Sequence, residues 1–161
     1  MQSGVDTEAR IRALLTLYRE SHYDVLLSRG RIATIRIGER APATLVRWIG
    51  DAAIAYYLTA CNPRSISLTA EENEARLARL RADLDARRVA WLEGVGHIPG
   101  ESWREQCLFV RAIGEDEVAD IARRYEQNGI VLARAHGVST LRVYWPDWRA
   151  VVGEMPDIEW T

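Results

Sequence analysis

The chain has 161 residues, nearly half hydrophobic and about a quarter charged, the balance of an ordinary globule with enough length for one domain and a real core. Its 21 basic and 23 acidic residues leave a formal net charge of −2, which argues against non-specific nucleic-acid binding. Every basic residue is an arginine, so chemistry that needs a Schiff-base or P-loop lysine is excluded for want of the amine.

Two cysteines, Cys61 and Cys107, make neither a disulfide framework nor a zinc site. The N-terminus MQSGVDTEARIRALL has no basic-then-apolar signal pattern, and no apolar run approaches membrane-spanning length. A cytoplasmic protein with reduced thiols is therefore expected, without membrane contact.

In chain order, residues 7–21 read as an amphipathic helix, with Ile11, Leu14, Leu15 and Tyr18 on one stripe. The runs Tyr23–Leu27 and Arg31–Ile37 flank Ser28-Arg29-Gly30 and alternate as a β-hairpin does. Residues 43–50 fit a short helix or an extended piece equally well. A strand is expected at 53–60, a helix at 70–87 and a strand at 88–94, followed by the glycine-bearing loop Gly94 to Gly100. A strand at 103–112, a helix at 115–127 ending near Asn128-Gly129, and strands at 130–135 and 140–145 complete the pattern. The tail from Pro146 to Thr161 carries Trp148 and Trp160 and is expected to drape over the body.

The fold class is α+β. The order βαββαβ from about 53 to 135 is that of a ferredoxin-like antiparallel sheet with its helices on one face, extended by the N-terminal helix and hairpin and the last strand. That topology brings five separated segments to one pole of the sheet. Their polar residues are Asn62 and Ser65, Asn73, His97, Trp103 and Glu105, and Gln127 and Asn128.

The stretch Leu58 to Arg76, LTACNPRSISLTAEENEAR, organises that pole. It runs from a strand through a polar loop into a helix start, where Thr69 and Glu72 have the spacing of a capping box. Leu77, Leu80 and Leu84 set the buried face of the helix, and one turn back that face meets Asn73.

Asn62-Pro63 suits a turn as well as a ligand contact. Asn73 suits either bonding to the preceding loop or binding. Glu72 and Arg76 have the spacing of a solvated i,i+4 ion pair. The imidazole of His97 is a group that can move a proton. Glu105, on a core strand, needs a partner such as Arg76, His97 or the 62–73 loop. Trp103 reads as core, lid or stacking platform. Cys61 beside a helix start reads as a small buried hydrophobe or as a thiol of lowered pKa.

The motifs Thr59-Ala-Cys-Asn62-Pro63-Arg-Ser65, Glu72-Asn73 with Arg76, Gly96-His97, Trp103-Arg-Glu105 and Gln127-Asn128 together resemble a bacterial family of short proteins known as a domain of unknown function, number 3293 in the usual naming. The resemblance covers roughly residues 20 to 135. It implies a shared site and no established activity, substrate or cofactor.

Two main functions are open. A binding module would hold a small anionic or polar molecule at the 59–76 loop and helix start, where free N–H groups favour anions. Asn62, Ser65, Glu72, Asn73, Arg76, Trp103, Gln127 and Asn128 would line it. A metal-independent hydrolase or transferase would instead use His97 and Glu105 as general acid and base. A protein-interaction domain, with the aromatic tail as interface, is a third reading, and a homo-oligomer is open. No cofactor is implied, and metal binding is disfavoured because His97 and Glu105 lack companions at ligand spacing.

Overall fold

The computed structural model describes residues 7–161. Residues 1–6, the start of the stretch inspected for a targeting signal, lie outside the described residues. Five α-helices and eight strands are present among them: α1 (Glu8–Glu20), β1 (His22–Leu26), β2 (Ile32–Ile35), α2 (Ala43–Ile49), β3 (Ile54–Leu58), α3 (Ala70–Ala86), β4 (Ala90–His97), β5 (Arg104–Arg111), α4 (Glu115–Arg124), β6 (Gly129–Arg134), β7 (Thr140–Val143), α5 (Pro146–Val152) and β8 (Ile158–Trp160). No helix among the described residues is long and apolar enough to cross a membrane.

All eight strands join one sheet in the order β2-β1-β4-β5-β3-β6-β7-β8. Every pairing is antiparallel except the parallel β7–β8 contact. The expected adjacency of the first and third strands of the central unit is present as the β3–β5 ladder, Ala55 opposite Arg111 to Leu58 opposite Leu108.

The central strands are apolar on both faces, and so both must be covered. On one face Tyr56, Leu58, Leu108, Val110, Ile130 and Leu132 pack under Leu77, Leu80 and Leu84 of α3 and Val118, Ile121 and Ala122 of α4. On the other, Tyr57, Cys107, Phe109, Val131 and Ala133 pack against Ile11 and Leu15 of α1, Leu45 and Ile49 of α2, and Trp148 of α5. The two helices of the central unit, α3 and α4, share a face as expected, while α1, α2 and α5 cover the opposite one. Alternation along β3, β5 and β6 leaves no polar side to face water.

Three local differences matter for the site. β4 continues through Gly94 and Gly96 to His97 in place of a loop from Gly94. There a side chain at Gly94 would meet the Asp24 carbonyl and the Tyr57 hydroxyl at 2.6 Å, so glycine is required by close packing and is no loop signal. The tail folds into α5 and β8, with Trp148 buried; Pro146 opens α5 at a position where a missing N–H costs nothing. The segment that suited helix or extended chain equally is α2.

Candidate functional site

At the end of the sheet where β3 and β4 finish and β5 and β6 start, the face under α1 is not closed. A cavity of about 270 Å³ lies there. Its apolar wall is Leu14, Leu17 and Tyr18 of α1 with Tyr23 of β1, and Trp103 stands at the rim. Glu105, Cys107 and Gly96 form the part contributed by β5 and β4. Asn62, Ser65, Ser67, Gln127 and Asn128 supply the polar side.

Cross-strand register explains which groups reach it. Gly96 pairs with Glu105 and Gly94 with Cys107, so these residues share the α1 face. His97 pairs with Arg104 and by the same alternation points to the α3 face. Its Nε2 lies 2.8 Å from Asp24 Oδ2, and Thr34 Oγ1 donates to the other Asp24 oxygen at 2.6 Å. Sequence reasoning placed His97 and Glu105 at one pole; the structure brings them to the same pole on opposite faces.

Glu105 is partly buried and accepts a hydrogen bond on Oε2 from Asn62 Nδ2 at 2.7 Å. Burial in these apolar surroundings pushes its carboxyl up to about 7, opposed only by that bond from a neutral amide. No described residue donates to Oε1 or pairs with the carboxylate as a cation.

Asn62 is held in the left-handed region, φ 46°. Its N–H donates to Asn73 Oδ1 at 2.9 Å, and its Oδ1 accepts from Asn73 Nδ2 at 2.9 Å and from the Leu68 N–H at 3.1 Å. Arg64 and Ser65 also have positive φ, 53° and 58°. Three strained non-glycine residues within four positions persist only where surrounding contacts hold them. Arg64 N–H bonding to the Glu126 carbonyl at 2.7 Å is one such contact.

The other expected site residues divide into lining and support. Buried Gln127 donates through Nε2 to the carbonyls of Cys61 at 3.0 Å and Tyr125 at 3.1 Å. Asn128 Nδ2 donates to Ser65 Oγ at 2.8 Å. Arg76 does not pair with Glu72: its Nε donates to the Ala60 carbonyl at 2.6 Å and its Nη2 to that of Tyr125 at 2.8 Å. Glu72 completes the capping box, its carboxylate accepting from the Thr69 N–H at 2.9 Å. The capping box thus satisfies the N–H groups of Thr69 and Glu72 at the start of α3. Cys61 is buried, and burial raises its thiol, as it does that of Cys107. Among the described residues no cluster of three or more His, Cys, Asp or Glu is arranged to hold a metal ion.

Sequence reasoning missed Leu14, Leu17, Tyr18 and Tyr23. The apolar stripe of α1 announced burial, but nothing in it told which part of the sheet it would cover. Ser67 lacked any signal beyond its neighbours, and Gly96 was marked only through the Gly96-His97 motif.

No curated protein and no solved structure matches this chain. The polar side of the cavity, Asn62 to Asn128, lies inside one matched segment, whereas the α1 and β1 wall lies outside it. Residues 58–130 match the model of the family described as "Protein of unknown function (DUF3293)", the same family that the motifs of this stretch resemble.

Proposed function

We propose that the cavity beneath α1 is a binding site for a small polar molecule, with Glu105 and Asn62 as its recognising pair. The observation that carries this reading is a partly buried carboxyl with one oxygen unpartnered, set in the wall of a cavity otherwise lined by aromatic and amide side chains. Concave, mostly apolar sites with a few convergent polar groups are where small ligands bind. The strained loop at Asn62, Arg64 and Ser65 adds support, since strain of this kind clusters at binding sites. The order β4-β5-β3-β6, with α3 and α4 on one face, supports reading the central unit as ferredoxin-like.

This seat differs from the helix start of α3. The capping box there takes up the N–H groups of Thr69 and Glu72, and Glu105 is the only ionisable carboxyl at the cavity among the described residues. Both features favour the polar over the anionic half of the expected ligand class. An aromatic-tail interface has less support, because Trp148 is buried.

A second reading, an enzyme, rests on Glu105 alone: a carboxyl pushed up to about 7 is poised for proton transfer at neutral pH. Without His97 on the same face, the ligand itself would have to be the proton's other partner.

A ligand screen by thermal shift and amide NMR, covering nucleotides, sugar phosphates, small acids, alcohols and amines, tests the binding reading. Perturbation of Gly96, Trp103 and Asn128 resonances by at least one class is expected, weakened by Gly96→Leu, which fills the cavity. Absence of any such perturbation would overturn the proposal.

A further inference from the structure

We propose that the ligand of this cavity carries a protonated nitrogen, an ammonium, amidinium or guanidinium group on an apolar body, and that the nitrogen seats on Glu105 while the body lies between Trp103 and Tyr18. This rests on the binding reading above and names the chemical class it takes.

The charge inventory of the site carries the inference. Among the described residues no arginine or histidine lines the cavity. Basic groups of the surrounding elements are engaged or turned elsewhere: Arg76 on the Ala60 and Tyr125 carbonyls, Arg10 on the Arg64 carbonyl, Arg64 over the Trp145 ring at 4.3 Å, His97 on Asp24 across the sheet, and Arg104, opposite His97 in the ladder, on the other face of β5. Glu74 of α3 and the exposed Arg104 share a second hollow with Glu105, Asn62 and Asn73; on the cavity side the titratable groups facing Glu105 are Tyr18 from α1, Tyr23 from β1, Cys61 from the loop and Cys107 from β5. Burial raises all four, so each is neutral at pH 7.

A carboxylate in that company has no counter-charge of its own. A buried charge is tolerated when paired, and costly when it is not. An anionic ligand would add a second negative charge to the same unpaired site. A neutral ligand would leave the carboxylate uncompensated. A cation supplies what the surroundings omit, and Tyr18, Tyr23 and Trp103 line the cavity with aromatic rings of the kind whose quadrupoles attract such groups. Ser65, Ser67, Gln127 and Asn128 remain for polar substituents at the far side.

Protons are linked to the event. Free Glu105 is largely protonated below about 7. A seated cation holds it ionised, so binding at lower pH releases that proton to the buffer. Apparent affinity therefore rises as pH increases towards 8 and levels off once Glu105 is already ionised.

The test compares phenethylamine with its neutral isostere 2-phenylethanol on the full chain. Amide and indole NMR titrations are run at about pH 8, and calorimetry at about pH 6 in two buffers of different ionisation heat. The amine is expected to shift Gly96, Trp103 and Glu105 resonances with an affinity at least about tenfold above the alcohol, and to release a proton at the lower pH. Glu105→Gln is expected to erase the amine's advantage over the alcohol; the wild-type comparison stands without it should that variant fail to fold. Equal binding of amine and alcohol would overturn the cationic assignment and leave the binding site intact. Failure of both to shift any cavity resonance would overturn the assignment and the binding reading together.

Discussion

Asn73 grips Asn62 at two points: its Oδ1 accepts the Asn62 backbone N–H and its Nδ2 donates to the Asn62 side-chain oxygen, both at 2.9 Å. Asn62 is thereby held in its left-handed conformation with Nδ2 free to meet Glu105. The polar residue on the apolar stripe of α3 is a brace for the loop that lines the cavity.

Asn73→Ala removes both bonds and leaves a partly buried N–H without a partner, which costs about 1–3 kcal/mol. A lower urea midpoint with an unchanged m-value is the expected result. An unchanged midpoint would show that the brace contributes nothing to the fold.

Gly94 makes a second prediction. The Tyr57 hydroxyl donates to the Asp24 carbonyl at 2.7 Å, passing over the position where a Gly94 side chain would stand. A Cβ there would lie 2.6 Å from both oxygens and 2.9 Å from a Tyr57 ring carbon. Gly94→Ala is expected to destabilise by about 1–3 kcal/mol, the range for overpacking a core. Tyr57→Phe alone should cost roughly 1 kcal/mol. In the double variant the carbonyl clash persists, so the second substitution should recover only part of the loss. Thermal melts of the four proteins make the cycle, and strict additivity would refute the shared contact.

Much of this architecture is legible in the sequence because local signals agree. The capping box at Thr69 and Glu72, the leucines at 77, 80 and 84, and the two-residue alternation of β5 point to the same elements. From these, the meeting of Asn62, Ser65, Trp103, Glu105, Gln127 and Asn128 follows by topology. His97 is different. Taking Gly94 and Gly96 as loop residues interrupts the strand count, and with it the parity that puts His97 on the face away from Glu105. Gly94 is in the strand because the Asp24 carbonyl and Tyr57 occupy its side-chain space, a long-range fact. The place of α1 is likewise tertiary. An amphipathic stripe specifies burial and leaves the partner surface open.

Glu105 sets a pH dependence whose sign is opposite to that of most carboxyls. Its carboxyl rises from an ordinary 4.5 to about 7 in the fold. Between those values the folded state holds more protons than the unfolded chain, so stability falls as pH rises through the window. The full shift corresponds to something on the order of 3 kcal/mol. Asp157 and Glu159 are lowered, the first chiefly by Arg19 and the second, against the burial that raises it, by hydrogen bonds from Arg142 and Thr140; their contribution is present above about 4.5 and lost on acidification below it. Glu105→Gln keeps an acceptor for Asn62 and removes the titration. Its stability relative to wild type should therefore increase steadily from pH 5 to about pH 8. Denaturant midpoints across that range give the difference directly, and a flat difference would place the Glu105 carboxyl at an ordinary value.

Arg76 and Gln127 converge on the same two strands of loop. Arg76 donates to the Ala60 and Tyr125 carbonyls at 2.6 and 2.8 Å, and Gln127 to the Cys61 and Tyr125 carbonyls at 3.0 and 3.1 Å. Together they tie the end of β3 to the end of α4, the seam from which the polar side of the cavity is built. The planar guanidinium fits this role because its fork reaches two acceptors at once. Arg76→Lys offers one ammonium for two carbonyls at different places, and Arg76→Met offers nothing. Bonds from a charged donor are worth about 1.5–3 kcal/mol each, so Arg76→Met should destabilise by at least about 2 kcal/mol and Arg76→Lys by less. Because the Tyr125 carbonyl accepts from both side chains, losing Arg76 should make Gln127 matter more. The Arg76→Met, Gln127→Ala cycle is expected to show a coupling of about 0.5 kcal/mol or more. Hydrogen exchange should report where the seam opens: amides of residues 60–68 and 125–128 would lose protection in Arg76→Met while those of β5 keep theirs. Uniform loss over the whole sheet would mean that Arg76 stabilises the fold at large and not the seam.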